Sequence, residues 1–181
     1  MRLIGYRPLI FCAVLALALT AGADELSQDD VNYQAEFIVN IVDDVTWPAG
    51  SGTDSQDAVV IAVVGSSPVT PRLKQLAAEK SGAGKPMKVT EVSPEDNLAA
   101  CQILFIASDD KAVLAGILKK VDGRPVLTVS DAEYFANFGV MVNFIHGQAG
   151  GEKSKFEVNR LTLDLAHLKM SPKLLKLAKL I

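Results

Sequence analysis

The chain has 181 residues, of which 49% are hydrophobic, 22% charged and 6% aromatic, a balance that excludes the disordered, collagen-like and low-complexity classes. Its formal net charge of −3, with no dense basic cluster, excludes the electrostatic footprint of a nucleic-acid binder. C-x-x-C and H-E-x-x-H motifs are absent, so no cofactor and no metal are expected.

The first element is a leader. Arg2 and Arg7 precede the apolar run Leu9 to Leu19, and Ala21-Gly22-Ala23 forms a small-x-small pattern ahead of Asp24-Glu25. This predicts a secretory signal peptide over residues 1–23, cleaved to leave residues 24–181 as one α/β domain. The run is too short for a bilayer core, which takes ~20 residues, so no stable membrane insertion is expected after cleavage. Cys12 leaves with the leader, so Cys101 has no partner for an internal disulfide.

Asp29 or Asp30 is expected to cap a helix over Asp30 to Val45, with Val31, Ala35, Ile38, Val42 and Val45 at spacings of three and four. Trp47-Pro48 ends it, and Ala49 to Asp57 reads as a loop. Ala58 to Val64 is an unbroken apolar run, the pattern of a strand covered on both faces. Gly65-Ser66-Ser67-Pro68 then turns into a helix that starts near Pro68 or Pro71 and runs to Lys80, with Leu73, Leu76 and Ala77 on one side. Lys88 to Val92 alternates like an edge strand, and Ser93-Pro94 predicts a short helix through Ala99.

Ile103 to Ala107 is a second apolar strand, and Asp109 or Asp110 caps a helix to Val121 that leads into a strand over Val126 to Val129. Ser130 or Asp131 is expected to cap a helix to Phe138 that Gly139 closes. Val140 to Ile145 forms a hairpin across Gly147 to Gly151 with a partner near Lys155 to Val158, and a last helix fills Ser171 to Ile181. The sum is an α/β three-layer open sheet, mostly parallel in its centre, with an antiparallel terminal hairpin and helices on both faces.

Catalytic chemistry is thinly represented. His146 stands before a glycine loop and His167 in a helical Leu-Ala-His-Leu context. Ser130 with His146 is the weak candidate for a hydrolase, since no G-x-S-x-G elbow exists. Gly65-Ser66-Ser67-Pro68 and Ser130-Asp131 lie at β-α turns, where open sheets bind ligands, but helix caps explain the same residues. Cys101 reads as a protected thiol acting as a small hydrophobe or as a site of intermolecular cross-linking. Trp47, at a helix end, is either core or a partner contact. A small-ligand pocket at the carboxyl ends of Val64, Ala107 and Val129 is the alternative function.

Six segments in order carry a resemblance: Tyr33 to Pro48 (YQAEFIVNIVDDVTWP), Ala100 to Ile106, Pro125 to Asp131 (PVLTVSD), Phe135 with Gly139 to Phe144, Phe156 to Asn159, and Ser171 to Ala178 (SPKLLKLA). Together they resemble the YfiR family, a DUF4154 domain. The resemblance implies a non-enzymatic periplasmic protein that forms a homodimer. It also implies repression of an inner-membrane GGDEF diguanylate cyclase through that enzyme's periplasmic region, lowering cyclic-di-GMP and biofilm formation. An outer-membrane peptidoglycan-binding lipoprotein would relieve the repression. Where the family often has Gly-Gly-Met-Ile-Asn-Phe, this chain has Gly139-Val140-Met141-Val142-Asn143-Phe144. Redox control through paired cysteines is not available to a chain that keeps Cys101 alone.

Overall fold

The structure, a computed structural model, describes residues 26–51, 58–82, 85–145 and 155–181. The leader, the Gly147 to Gly151 connection and His146 lie outside the described residues.

Helix α1 spans Gln28–Asn40 and is capped by Ser27, whose Oγ accepts from Asp30 N at 3.1 Å. The cap is therefore Ser27, not Asp29 or Asp30; Asp30 instead accepts the Ser27 hydroxyl at 2.5 Å, so cap and first turn hold each other. The helix also ends before Val45. A 3-10 turn over Ile41–Asp43 follows, and strand β1 (Val45–Thr46) pairs antiparallel with β8 (Lys169–Met170) in a small second sheet. That long-range pairing takes Val45 out of the helix.

Strand β2 (Val59–Gly65), helix α2 (Val69–Ser81) and strand β3 (Met87–Val92) form one parallel crossover, while β4 (Ile103–Ala107), α3 (Lys111–Val121) and β5 (Leu127–Ser130) form another. Asp110 caps α3 by accepting from Ala112 N and Val113 N. With β6 (Val142–Phe144), β7 (Phe156–Val158) and β9 (Lys179–Leu180), the main sheet has the order β3-β2-β4-β5-β6-β7-β9. The first five strands in that order are parallel; β7 turns back antiparallel to β6, and β9 runs parallel to β7. The predicted hairpin is present, but β9 lies outside it and forms the edge.

Right-handed crossovers that leave β2 and β4 in opposite lateral directions put their helices on opposite faces. One core accordingly packs α1 and α2 against Ile61, Val63, Ile103, Phe105, Leu127 and Val129. The other packs α3 against Ala62, Val64, Leu104 and Ile106. The α/β three-layer reading holds.

Three further predicted helices differ. Ser93 to Ala99 is mainly a turn in which Asp96 accepts from Ser93 N, with a 3-10 helix only over Leu98–Ala100, capped by Asn97. Ser130 belongs to β5, and the segment before Gly139 is a 3-10 helix over Phe135–Phe138 preceded by Tyr134 in a left-handed conformation. The last helix, α5, covers only Pro172–Leu175, because the chain beyond it is drawn into β9 and Ile181 N donates to Val158 O at 3.1 Å. Helix α4 (Arg160–Leu165) lies just ahead of the helical context predicted around His167; Asn159 caps it by accepting from Thr162 N.

Candidate functional site

The predicted turn between β2 and α2 is occupied by structural chemistry. Gly65 has φ +92, and a Cβ there would fall 2.1 Å from Ala107 O, so backbone meets backbone where the carboxyl ends of β2 and β4 adjoin. The glycine serves that close approach. Ser67 Oγ accepts from Val69 N at 3.1 Å, a local turn contact at the start of α2. Ser130 is fully buried; its hydroxyl donates to Ile106 O at 2.8 Å and accepts from Ala132 N at 3.3 Å. His167 is exposed just past α4 with φ +58 and donates its N–H to Asp164 O, so it caps a helix end rather than lying within one. Among the described residues no three His, Cys, Asp or Glu side chains cluster as a metal site, and no helix is long and apolar enough to cross a membrane.

Cys101 sits in the α3-side core beside Leu98, whose carbonyl accepts the thiol at 3.2 Å. Burial pushes its pKa up to about 12, against backbone hydrogen bonds that act to lower it. The thiolate, which is the reactive form, is therefore suppressed in the folded chain. Trp47 is 8% exposed and packs in the α1/α2-side core, its indole Nε1 buried without a hydrogen-bond partner.

Among the described residues, three concavities stand outside these positions: one of about 240 Å³ beside α4 and β8, lined by Arg160, Leu163, Asp164, Lys169 and Leu175 among others, and two that flank β5 and α1 respectively. Of the latter two, the first, of about 180 Å³, lies at the amino ends of β5 and β6, lined by Leu118, Val121, Phe138, Met141 and Leu165 among others. Phe138 and Leu165 on its rim are 52% and 59% exposed. Its volume is below the ~300 Å³ at which small-molecule pockets begin, and matches one inserted side chain better than a whole ligand.

The second is a groove of about 230 Å³ between α1 and α5, lined by Tyr33, Glu36, Phe37, Asn40, Ile41, Asp44 and Leu174. Positions 33, 36, 37, 40 and 44 recur at helical spacing, so they form one stripe running along α1 into the 3-10 turn. Phe37 anchors it to the core, meeting Phe144 edge-to-face and Phe156 at a tilt, with 5.3 and 4.7 Å between centroids. Burial pushes the Tyr33 phenol up from its ordinary 10.0, so the ring stays neutral. Asp44 fixes the far wall: its carboxylate accepts the Ser171 hydroxyl at 2.7 Å, and its carbonyl accepts Ser171 N at 2.7 Å. The sequence shows this stripe as aromatic and acidic residues on the side of α1 away from Val31, Ala35 and Ile38, a signal hidden by reading the helix only for its apolar face.

The comparison with known families decides the assignment. A family model described as DUF4154, YfiR/HmsC-like, matches residues 32–179, nearly all of the chain after the leader. The chain belongs to the YfiR/HmsC-like family. A search of curated proteins finds no match. At the level of the family, YfiR-like proteins are periplasmic, non-catalytic regulators of diguanylate cyclases. Ser130, the residue that the sequence offered with His146 for catalysis, is buried and donates to Ile106 O, and Cys101 is buried with its thiol on Leu98 O.

Proposed function

We propose that this YfiR-like protein is exported, loses residues 1–23, and as residues 24–181 binds the periplasmic portion of an inner-membrane GGDEF diguanylate cyclase, holding it inactive and lowering cyclic-di-GMP. The match over residues 32–179 is the observation that carries this reading. In the same reading the protein acts as a homodimer, and an outer-membrane peptidoglycan-binding lipoprotein competes for it and relieves repression. Mechanistically the act is a population shift: the protein must bind the inactive cyclase more tightly than the active one, by about 5.5 kcal/mol for a near-complete switch. No bond is made or broken by the regulator.

The test is intracellular cyclic-di-GMP in the source bacterium with the gene deleted, then restored either whole or without residues 1–23. Deletion should raise the nucleotide, and only the whole gene should lower it again. An unchanged level on deletion, or full rescue by the leaderless form, overturns the proposal.

A further inference from the structure

We propose that α5 and β9 form a docking face for an anionic lipid surface, on which Lys173 and Lys176 meet headgroup phosphates while Leu177 and Leu180 enter the layer beneath them. Residues 155–181 carry six Lys or Arg and two Asp or Glu, in a chain whose net charge is −3. Basic groups are thus gathered on the segments of the β7–β9 flank. The inference does not depend on the partner being a cyclase.

Side-chain direction divides this segment into two faces. Leu174, Leu175 and Ala178 turn inward and pack against the α1-side core. Lys173, Lys176 and Leu177, three and four residues apart, turn outward, and bonds from Leu177 N to Leu174 O and from Ala178 N to Leu175 O carry the helical turn that far. Leu180 lies in register with Val158, a member of the same core, so it points to the side of the sheet that carries α5. Leu177 and Leu180 are 57% and 47% exposed. The inward residues alone fasten α5 to the fold, so packing does not account for the outward leucines.

Lys173 and Lys176 are exposed, as are Arg160 and Lys169, which share the concavity beside α4 and β8 with Leu175. Among the described residues none of these four has a hydrogen bond or ion pair from its side chain. The carboxylates nearest to them are Asp164, on the same concavity, Asp44, whose Oδ1 accepts the Ser171 hydroxyl at 2.7 Å, and Glu36, across the groove from Leu174. Lys155, over the Tyr33 ring, adds a further cation on that side, and Glu157 is matched by Lys179 at 3.0 Å. Positive charge is in excess. Asp44 and Glu36 also stand on the Leu174 side of α5, away from the outward face of Lys173 and Lys176.

Shape favours lipid over a protein partner. Lys173, Lys176, Leu177 and Leu180 line none of the three concavities and project from the surface. A rigid partner would need a matching pocket for each projecting leucine, whereas a headgroup layer closes around any of them. Lysine stems are long enough to keep their charge among the phosphates as the leucines sink past. The contact stays at the surface, since no described helix is long and apolar enough to cross a membrane.

The experiment is co-sedimentation of the purified processed protein with vesicles of phosphatidylcholine alone, or of phosphatidylcholine and phosphatidylglycerol at about two to one. The mixed vesicles should bind the protein and the neutral ones should not. Lys173→Glu with Lys176→Glu should weaken binding at least about tenfold, since two attractions become repulsions, and Leu177→Ser should weaken it at least about threefold. Lys119→Glu with Arg124→Glu makes the same change of net charge around the end of α3 and should leave binding within about twofold. All the substituted side chains are exposed and without a partner among the described residues, and thermal melts verify that the variants fold. No binding to mixed vesicles, equal binding to neutral ones, unchanged binding by Leu177→Ser, or an equal loss in the α3 pair would each overturn the proposal. Binding of soluble polyglutamate that the α5 variants abolish, with vesicles ignored, would overturn it in favour of an acidic polypeptide.

Discussion

Along one row on the α3 side, the sheet carries Val92, Val64 and Ile106 across its first three strands and Ser130, Asn143, Glu157 and Lys179 across the next four. The first half needs only a helix to cover it, and α3 supplies Leu114, Ile117 and Val121. The second half is polar and holds together by pairing its groups. Ser130 donates to Ile106 O, and Glu157 meets Lys179 at 3.0 Å. Among the described residues, Asn143 Oδ1 is buried without a partner. Burial is non-directional and tolerant, whereas each polar contact must be made individually or its desolvation is uncompensated. Stability should therefore concentrate in the β2–β4 half, and the β5–β9 half should respond to single atoms.

The largest effect should come from the apolar end of the row. Ile106 is fully buried, and Ile106→Ala removes side-chain volume between α3 and the sheet, with an expected loss of about 2–5 kcal/mol in urea unfolding. A loss below about 1 kcal/mol would mean that the half assigned to packing is not held by it.

On the polar half a single hydroxyl decides the outcome. Thr128 is fully buried and its Oγ1 accepts from Met141 N at 3.0 Å, tying β5 to the start of β6. Thr128→Val keeps the shape and leaves that N–H without an acceptor, at an expected cost of about 1–3 kcal/mol. The same denaturation experiment checks it, and amide exchange at Met141 should accelerate with it.

This division also explains what was legible beforehand. Ala58 to Val64 and Ile103 to Ala107 show themselves as strands because both faces are covered, so every residue is apolar. Asp110 announces its cap locally. The flank is made by partners far apart in sequence: Val45 meets Met170, and Lys179 meets Glu157. No local pattern records such pairings: Leu174, Leu177, Ala178 and Ile181 recur at helical spacing, and that stripe alone predicts the helix to Ile181. Leu177 and Ile181 are in fact exposed, which a packing stripe would not be. The candidate groove failed to show for a related reason: Leu174 joins α1 only after the Ser171–Asp44 contacts bring α5 to it.

Cys101 tests the apolar half through pH. Its folded pKa is about 12 against a model-compound value of 9.0, so the unfolded chain releases the proton first. The contribution is fully present below pH 9.0 and is lost as pH rises toward about 12, by about 1.4 kcal/mol per pH unit inside that window. The difference in urea midpoint between wild type and Cys101→Ala should shrink or reverse over this range. A parallel alkylation assay should find the thiol protected until denaturant is added; rapid labelling of the native protein would show that the core around Leu98 opens.

The smallest expected change is the one that most sharpens the contrast. Asn143 is 2% exposed; its Nδ2 donates to Phe144 O at 3.3 Å, while Oδ1 has no partner. An unpartnered buried acceptor is a standing desolvation cost, so replacing the amide by an apolar group of similar size removes that cost along with one long hydrogen bond. Asn143→Leu should lie between neutral and about 1 kcal/mol more stable. Beside Thr128→Val, which also removes a buried polar group from this face, the opposite sign would follow from one fact: the Thr128 oxygen is used and the Asn143 oxygen is not. A loss of more than about 2 kcal/mol for Asn143→Leu would show that the amide is engaged in solution, and the polar half would then be held as tightly as the apolar one.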